Sequence, residues 1–287
     1  MAGRQVPKSH IAQLDRLRSI EGRHNALVKK LRKGFAAGDL ISDGCCAIEG
    51  LRVVEEAIRS GLRFHTVFFS TSAKDKAERL LPQLGAHVQT VTLPDRLFAG
   101  VVPTEAPQGI AALVYCKSFT LEDVLARSQV GPVVAIAGLQ DPGNLGTILR
   151  SAEAFGAAGI LLGGGTVSRL NWKVVRASAG SVFRLPAVKL ELPQVLGRLR
   201  EQGMRLLATS SHKGTPLPET TLSSPSAIFI GGEGAGLGRE LMAEMDEVIA
   251  IPHSPKVESL NAGVAASVVL YEASRQRRGS TDRSLRP

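Results

Sequence analysis

The sequence predicts an α/β protein whose C-terminal half forms a mostly parallel sheet covered by helices on both faces. Apolar runs typical of buried strands alternate with amphipathic helical segments over residues 131–276, and a weaker alternation of the same kind spans residues 39–115. Polar or glycine-rich loops follow several predicted strands, as is usual where parallel strands lead into helices.

A chain of 287 residues is long enough for about two domains. Composition and periodicity predict a basic N-terminal segment (1–38), a small α/β domain (39–115), a linker (116–130), a larger α/β domain (131–276) and a basic tail (277–287).

Periodicity and turn residues predict the elements of both domains. In the small domain we expect a helix from Ala47 to Ser60, a strand from Arg63 to Ser70, helices 73–84 and 95–99, and strands 86–91 and 110–114. In the larger domain we expect strands 132–139, 158–163, 204–209, 226–230 and 247–251, and helices 144–155, 171–179, 192–202, 237–245 and 259–275.

Composition argues against several classes of protein. Hydrophobic residues make up 44% of the chain, enough for packed cores, and no run of eighteen apolar residues could span a membrane. The N-terminus lacks the apolar centre of a secretion signal, so we expect a cytoplasmic protein. Cys45, Cys46 and Cys116 have neither the spacing of a metal site nor the even number of a disulfide framework, which favours reduced structural thiols and no metal.

The net charge of +9 is concentrated at the two ends of the chain. Residues 1–33 hold nine Lys and Arg against two acids, and residues 275–287 hold five against one. Such segments bind phosphate backbones by releasing counterions, so we expect a nucleic-acid partner. A solubilising role remains an alternative for the C-terminal tail.

The first of three strand-to-helix junctions runs from Gln140 to Gly146. A Pro-Gly pair predicts a turn, and Asn144 is predicted to cap the following helix. Arg150 lies off the apolar face of that helix, near Glu153. Its spacing leaves two interpretations open, a solvated ion pair with Glu153 or a functional cation.

The second junction, from Gly231 to Gly238, directly follows the apolar strand 226–230. Its glycine spacing matches neither the dinucleotide fingerprint nor the P-loop, and Glu233 would repel a phosphate at close range. These features favour an uncharged or cationic adenosine-type ligand, with a tight turn that binds no ligand as the alternative.

The third junction runs from Ile251 to Asn261. Pro252 ends a strand, and Ser259 or Asn261 can cap the next helix. That helix begins with small residues that permit close packing: Ala262, Gly263, Ala265, Ala266 and Ser267. A buried dimer interface and packing within the chain are both consistent with them.

Together, the stretches NLGTILRSAEAFGA (144–157), GGEGAGLG (231–238) and IPHSPKVESLNAGVAASVVLYE (251–272) resemble the three motifs of the SpoU (TrmH-like) branch of the SPOUT superfamily of RNA methyltransferases. The stretch KVVRASAG (173–180) is also similar to a family segment. The region from Leu40 to Val114, which includes EGLRVV (49–54), resembles the small L30e-like substrate-recognition domain found in many members.

The resemblance implies transfer of a methyl group from S-adenosylmethionine to a ribose 2′-hydroxyl of RNA. By this resemblance Arg150 would deprotonate or orient the hydroxyl, and Asn144 would shape that site. The remaining members of the catalytic set would be Glu233, Ser259 and Asn261.

For the cofactor, the resemblance implies that the backbone around Gly231, Ile251 and Leu260 holds the adenine and ribose. Gly232 and Pro252 would shape the same pocket. It further implies a C-terminal trefoil knot and a homodimer with active sites near an interface that involves the C-terminal helix region.

Two stretches depart from the family pattern. The His-Ser-Pro-Lys stretch from His253 to Lys256 replaces shorter or more hydrophobic residues, and Ala262-Gly263 stands where many relatives carry Val-Ser. These changes concern cofactor contacts or the selection of the RNA.

Ribosomal RNA is the expected substrate. The alternatives are transfer RNA 2′-O-methylation, a catalytically inactive RNA-binding assembly protein of the same fold, and an NAD- or nucleotide-binding protein. The glycine spacing and Glu233 disfavour the nucleotide-binding alternative.

Overall fold

The computed structural model describes residues 16–211, 213–232 and 236–284, which form two compact units. The first unit contains the chain up to Lys117 together with Leu170–Phe183, and the second contains Ser118–Arg169 and the chain from Arg184 onward. Sequence periodicity places Leu170–Phe183 in the larger domain, whereas in the structure Trp172 of this segment packs against the core of the first unit.

The described strands are β1 (Leu17–Ser19), β2 (Cys45–Glu49), β3 (Arg63–Ser70), β4 (Gln89–Leu93), β5 (Ile110–Tyr115), β6 (Val133–Ala137), β7 (Gly159–Leu162), β8 (Ala187–Lys189), β9 (Arg205–Ser210), β10 (Thr215–Pro216), β11 (Ser226–Gly231) and β12 (Glu247–Ala250). The described α-helices are α1 (Ala26–Ala37), α2 (Leu51–Arg59), α3 (Lys74–Leu80), α4 (Asp95–Ala99), α5 (Leu121–Leu125), α6 (Pro142–Ala154), α7 (Trp172–Ala177), α8 (Leu192–Glu201), α9 (Arg239–Ala243) and α10 (Ala262–Ser284).

The sheet of the first unit has the strand order β1-β4-β3-β5-β2, with β1, β4 and β3 parallel and β5 antiparallel to its two neighbours. The predicted helix from Ala47 to Ser60 is wrong in its first part, because β2 occupies Cys45–Glu49 and α2 begins only at Leu51. The residues from Cys45 to Ile48 are all buried, and a continuous apolar run carries no periodicity that separates a strand from a helix.

Helix α1 makes the basic N-terminal region part of the first unit. The side chain of Asn25 caps this helix by accepting a hydrogen bond from the Leu27 N–H at 2.9 Å. Val28, Leu31 and Phe35 lie in the hydrophobic core of the unit. The basic residues of α1 are therefore carried on a helix that the first unit needs for packing.

The sheet of the second unit has the order β10-β12-β9-β11-β6-β7-β8, and all its strands are parallel. This arrangement confirms the predicted α/β class with a parallel sheet. Strands β8 and β10 are not predicted from the sequence, because they contain only three and two residues. Side chains such as Leu161, Leu206 and Phe229 are completely buried between the sheet and its helices.

The start of α6 corrects the predicted capping residue. The cap is Asp141, whose Oδ1 accepts the Asn144 N–H at 2.6 Å, and the helix begins at Pro142. Proline suits this first position because a backbone N–H there would have no partner within the helix. Asn144 therefore lies inside the first turn of the helix rather than at its cap.

Among the residues described, no helix combines the length and apolar character required to cross a lipid bilayer.

Candidate active site

A cavity of about 800 Å³ opens at the carboxyl edge of the second unit's sheet. Because all strands of this sheet are parallel, the loops after β9, β11 and β12 meet at that edge and surround the cavity together with the start of α10. Its volume lies within the range typical of small-molecule sites. The polar and backbone-rich part of the lining consists of Thr209, Ser210, Ser211, Gly231, Gly232, Ile251, His253, Glu258, Ser259, Leu260 and Asn261.

The glycines at the end of β11 and in the loop after it allow backbone segments to approach each other closely. A Cβ on Gly232 would lie 2.3 Å from the carbonyl oxygen of Gly138, in the loop after β6, and a Cβ on Gly231 would lie 2.4 Å from the carbonyl carbon of Gly236. Gly232 and Gly236 also form an isolated β-bridge. These glycines thus pack loop against loop as well as lining the cavity, a role that glycine spacing alone does not reveal.

The loop after β12 is held by two polar residues. Asn261 caps α10, since its Oδ1 accepts the N–H groups of Gly263 at 2.9 Å and Val264 at 3.2 Å. This confirms Asn261 as one of the two predicted caps. His253 Nε2 lies 3.1 Å from the carbonyl oxygen of Ser211, so the first residue of the unusual His-Ser-Pro-Lys stretch connects the loops after β12 and β9.

Arg150 is exposed on α6, and no hydrogen bond or ion pair joins it to any residue that the structure describes. Glu153, the acid considered as its partner, forms a two-point ion pair with Arg184, with Nε–Oε1 at 2.7 Å and Nη2–Oε2 at 2.9 Å. The interpretation of Arg150 as a solvated partner of Glu153 is therefore wrong. Its guanidinium remains available to a ligand or to another chain.

The small residues at the start of α10 pack against α6 of the same chain. The hydroxyls of Ser267 and Ser151 are 2.6 Å apart, and a Cβ on Gly263 would lie 3.1 Å from Thr147 Cβ. The second of these contacts lies four residues before the first on both helices. Helices α6 and α10 therefore run side by side in the same direction. For Gly263 and Ser267 the structure supports packing within the chain.

The structure brings together most, but not all, of the residues that the motifs single out. The cavity is lined by Gly231, Gly232, Ile251, Leu260, Ser259 and Asn261. Pro252 is exposed beside it and does not line it, while Asn144 and Arg150 lie on α6 outside the lining. Glu233 lies outside the described residues.

The sequence patterns do not single out the end of β9 and the loop after it, which contribute Thr209, Ser210 and Ser211 to the cavity. The available signal is a run of small polar residues at the end of a predicted strand. It was missed because hydroxyl residues are common in ordinary turns.

Two parts of the chain match known protein families. Residues 131–271 match the SpoU rRNA Methylase family, and residues 41–112 match the MRM3-like substrate binding domain. The chain is 33% identical over 255 residues to the 23S rRNA (guanosine(2553)-2′-O)-methyltransferase RlmP of Bacillus subtilis, covering 89% of this chain and 98% of that protein.

Two solved structures share the fold over most of the chain. The SpoU methyltransferase AviRb from Streptomyces viridochromogenes, in complex with AdoMet, has a TM-score of 0.77 at 27% identity and covers 89% of this chain and 99% of its own. The AdoMet-bound rRNA methyltransferase from Sinorhizobium meliloti has a TM-score of 0.77 at 26% identity and covers 91% of this chain and 98% of its own. The cavity lies at the ends of β9, β11 and β12, and the relative RlmP is similar to this chain over nearly its whole length. The chain therefore belongs to the SpoU rRNA methylase family.

Proposed function

We propose that this protein transfers a methyl group from S-adenosylmethionine to a ribose 2′-hydroxyl of ribosomal RNA. The observation that carries the proposal is the cavity at the carboxyl edge of the parallel sheet, which collects the motif residues Gly231, Gly232, Ile251, Ser259 and Leu260. The relative RlmP is named as an enzyme that acts on 23S ribosomal RNA, which favours ribosomal over transfer RNA. Such a substrate is met in the cytoplasm, which is also the compartment expected from the sequence.

The cavity fits the proposed cofactor in size and in chemistry. Its volume of about 800 Å³ suits an adenosine-sized ligand, and its lining mixes backbone groups and hydroxyls with apolar side chains such as Leu217, Met242 and Val269. Two described lining residues carry titratable side chains, the acid Glu258 and His253, and neither Lys nor Arg lines the described part. A site of this kind suits a cofactor that has no phosphate and carries a positive sulfonium.

Arg150 is proposed to orient and polarise the ribose hydroxyl. The cofactor supplies an electrophilic methyl group, and the hydroxyl oxygen must attack it while losing its proton. A guanidinium offers only donors, so the proton has to pass to another acceptor near Arg150, such as a phosphate oxygen or an ionised carboxylate. Orientation of the hydroxyl oxygen and stabilisation of its developing negative charge need no such partner. Asn144, in the first turn of the same helix, would support this site, and Glu233, Ser259 and Asn261 complete the proposed set.

We further propose that the enzyme is a homodimer. Arg150 is exposed outside the cavity, so a second copy provides a reasonable way to complete the reaction centre. On α10, Val264, Val268 and Tyr271 are 49%, 37% and 55% exposed, and their spacing places them on one face of the helix. Large apolar side chains along one helix face are typical of an interface between subunits.

A trefoil knot in the second unit is also proposed. Strands β9 and β10 follow each other in the chain, yet β12, which is synthesised later, lies between them in the sheet. Knots are rare, and this strand order is the feature that supports one here.

The first unit is proposed to be the L30e-like domain that binds the RNA substrate. The match of residues 41–112 to the MRM3-like substrate binding domain supports this role. So does the exposure of Lys29, Arg32 and Lys33 on α1.

The function is tested by methyl transfer from tritiated S-adenosylmethionine to ribosomal RNA isolated from cells that lack the gene. Wild-type protein is expected to label the RNA at a ribose 2′-hydroxyl, and Arg150→Ala is expected to lose about a hundredfold or more in rate while binding the cofactor normally. Arg198→Ala, at an exposed arginine on α8, is the matched control.

The experiment tests the role of Arg150 and the proposed function separately. A wild-type rate for Arg150→Ala would remove Arg150 from the catalytic set. Failure of wild-type protein to bind S-adenosylmethionine, with or without RNA, would refute the proposed function itself.

A further inference from the structure

Two of the three cysteine thiols are in direct contact in the first unit. Sγ of Cys46, in β2, lies 2.8 Å from Sγ of Cys116, the residue that follows β5, although 70 positions separate them in the sequence. The two sulfurs are not joined by a disulfide bond in the structure. Their contact reflects the antiparallel pairing of β2 with β5, in which Cys46 lies opposite Val114. Side chains two positions apart share a face of a sheet, so Cys116 and Cys46 are diagonal neighbours on one face.

The geometry permits a covalent bond. Closing a disulfide requires the sulfurs to approach to about 2.05 Å, which is less than 1 Å of movement. Cys116 lies beyond the last residue of β5, so its position is not held by the strand ladder.

The two thiols differ in access to solvent. Cys46 is completely buried, whereas Cys116 is partly exposed. A dissolved oxidant therefore meets Cys116 first, and Cys46 is positioned to react next.

Cys45 provides a contrast within the same strand. It lies opposite Tyr115 and points to the other face of the sheet, where it is completely buried. Burial raises the pKa of the Cys45 thiol, and a hydrogen bond with Tyr115 only partly offsets this. Because the thiolate is the reactive form, Cys45 is expected to stay reduced.

We propose that Cys46 and Cys116 form a reversible oxidation site that closes an intramolecular disulfide when the protein meets a hydroperoxide. The Cys116 sulfur attacks the peroxide oxygen and becomes a sulfenic acid, releasing one water when the oxidant is hydrogen peroxide. The Cys46 sulfur then attacks the Cys116 sulfur and displaces a second water. Two thiols lose two electrons and two protons in total, and a dithiol reductant restores them.

The bond would join β2 to the end of the first unit. The chain passes into the second unit directly after Lys117, so oxidation ties Cys116, next to that crossing, to the edge strand β2. The disulfide is expected to restrict the connecting segment and to raise the melting temperature of the oxidised protein by a few degrees. The proposed oxidation site does not depend on the proposed methyl transfer.

The test treats the full-length protein with hydrogen peroxide and then alkylates free thiols under denaturing conditions. Mass spectrometry is expected to find one alkylated cysteine, Cys45, and a peptide crosslink between Cys46 and Cys116 that dithiothreitol removes. Cys45→Ser is the matched control and should still form the crosslink. Cys46→Ser should form none and should leave a sulfenic acid on Cys116 that dimedone traps.

Three alkylated cysteines after oxidation, or a crosslink that involves Cys45, would overturn the proposal. Circular dichroism of each variant before oxidation distinguishes loss of reactivity from loss of folding. Crosslinks found only between two protein molecules would also overturn it.

Discussion

At the scale of single residues, Gly232 affects the geometry of the site although it has no side chain that could contact a ligand. Its missing side chain lets the loop after β11 lie against the carbonyl of Gly138. The same contact sets the distance between the loops after β11 and β6, which carry residues of the cavity and of the α6 junction. Only the absence of a Cβ makes this approach possible.

We therefore expect Gly232→Ala to destabilise the protein and to weaken cofactor binding. The new methyl group would lie 2.3 Å from the Gly138 oxygen, and overpacking of this kind costs about 1–3 kcal/mol in the free energy of unfolding. Urea unfolding and calorimetric titration with S-adenosylmethionine measure the two effects.

The matched control is Gly197→Ala on α8, where an added Cβ meets no atom within 4 Å. This variant should be neutral or slightly more stable, because alanine favours a helix by about 1 kcal/mol over glycine. Equal stability of the two variants would contradict the role of Gly232.

At the scale of elements, α1 combines a structural face with a basic face. Its apolar residues are buried in the first unit, and Lys30 interacts with Asp43 and His65, the latter at 2.8 Å. Lys29, Arg32 and Lys33 are exposed. Deleting the N-terminal region would therefore remove part of a core as well as the charges, so a deletion cannot measure RNA binding alone.

Replacing Lys29, Arg32 and Lys33 with Gln is expected to weaken RNA binding and to flatten its dependence on salt. Each lost phosphate contact reduces the slope of log affinity against log salt by about 0.7 to 0.9. Filter binding at several salt concentrations measures this slope.

Replacement of Arg198 and Arg200 on α8, which form ion pairs with Glu122 and Glu244, is the control. Unchanged slopes for the α1 variant would assign its charges to solubility rather than to RNA.

At the scale of the whole molecule, the packing of α6 against α10 distinguishes the residues of α10 that are used within the chain from those that could contact a second copy. Gly263 and Ser267 contact α6 of the same chain, while Val264, Val268 and Tyr271 remain exposed. One helix can thus pack within its chain through small residues and offer larger ones to a second copy.

The proposed dimer predicts that Val268→Asp yields a monomer. Burying a carboxylate in an apolar interface is costly, so association should fail at micromolar protein concentration. Light scattering coupled to gel filtration measures the mass, and methyl transfer should fall with it.

Val130→Asp changes a residue that is 74% exposed and lies in another part of the second unit, and it should leave the oligomeric state unchanged. A monomeric wild-type protein, or a dimeric Val268→Asp variant, would contradict the proposed interface.

Local patterns alone predicted a large part of this molecule. The α/β class and the parallel sheet followed from alternating periodicities, and the cap at Asn261 followed from local side-chain chemistry. The family resemblance, rather than local pattern, implies Gly231, Gly232, Ile251 and Leu260 as cofactor residues, and all four line one cavity. These features depend on residues that are close in sequence or on strands that all run in one direction.

The tertiary structure decided what depends on contacts between distant residues. It placed β2 where a helix was expected, gave the first unit the segment Leu170–Phe183, paired Glu153 with Arg184, and added the loop after β9 to the cavity. It also brought Cys46 against Cys116. The physical reason is common to all of them: burial and side-chain partners are set by strand order and packing across long sequence separations, which local periodicity does not encode.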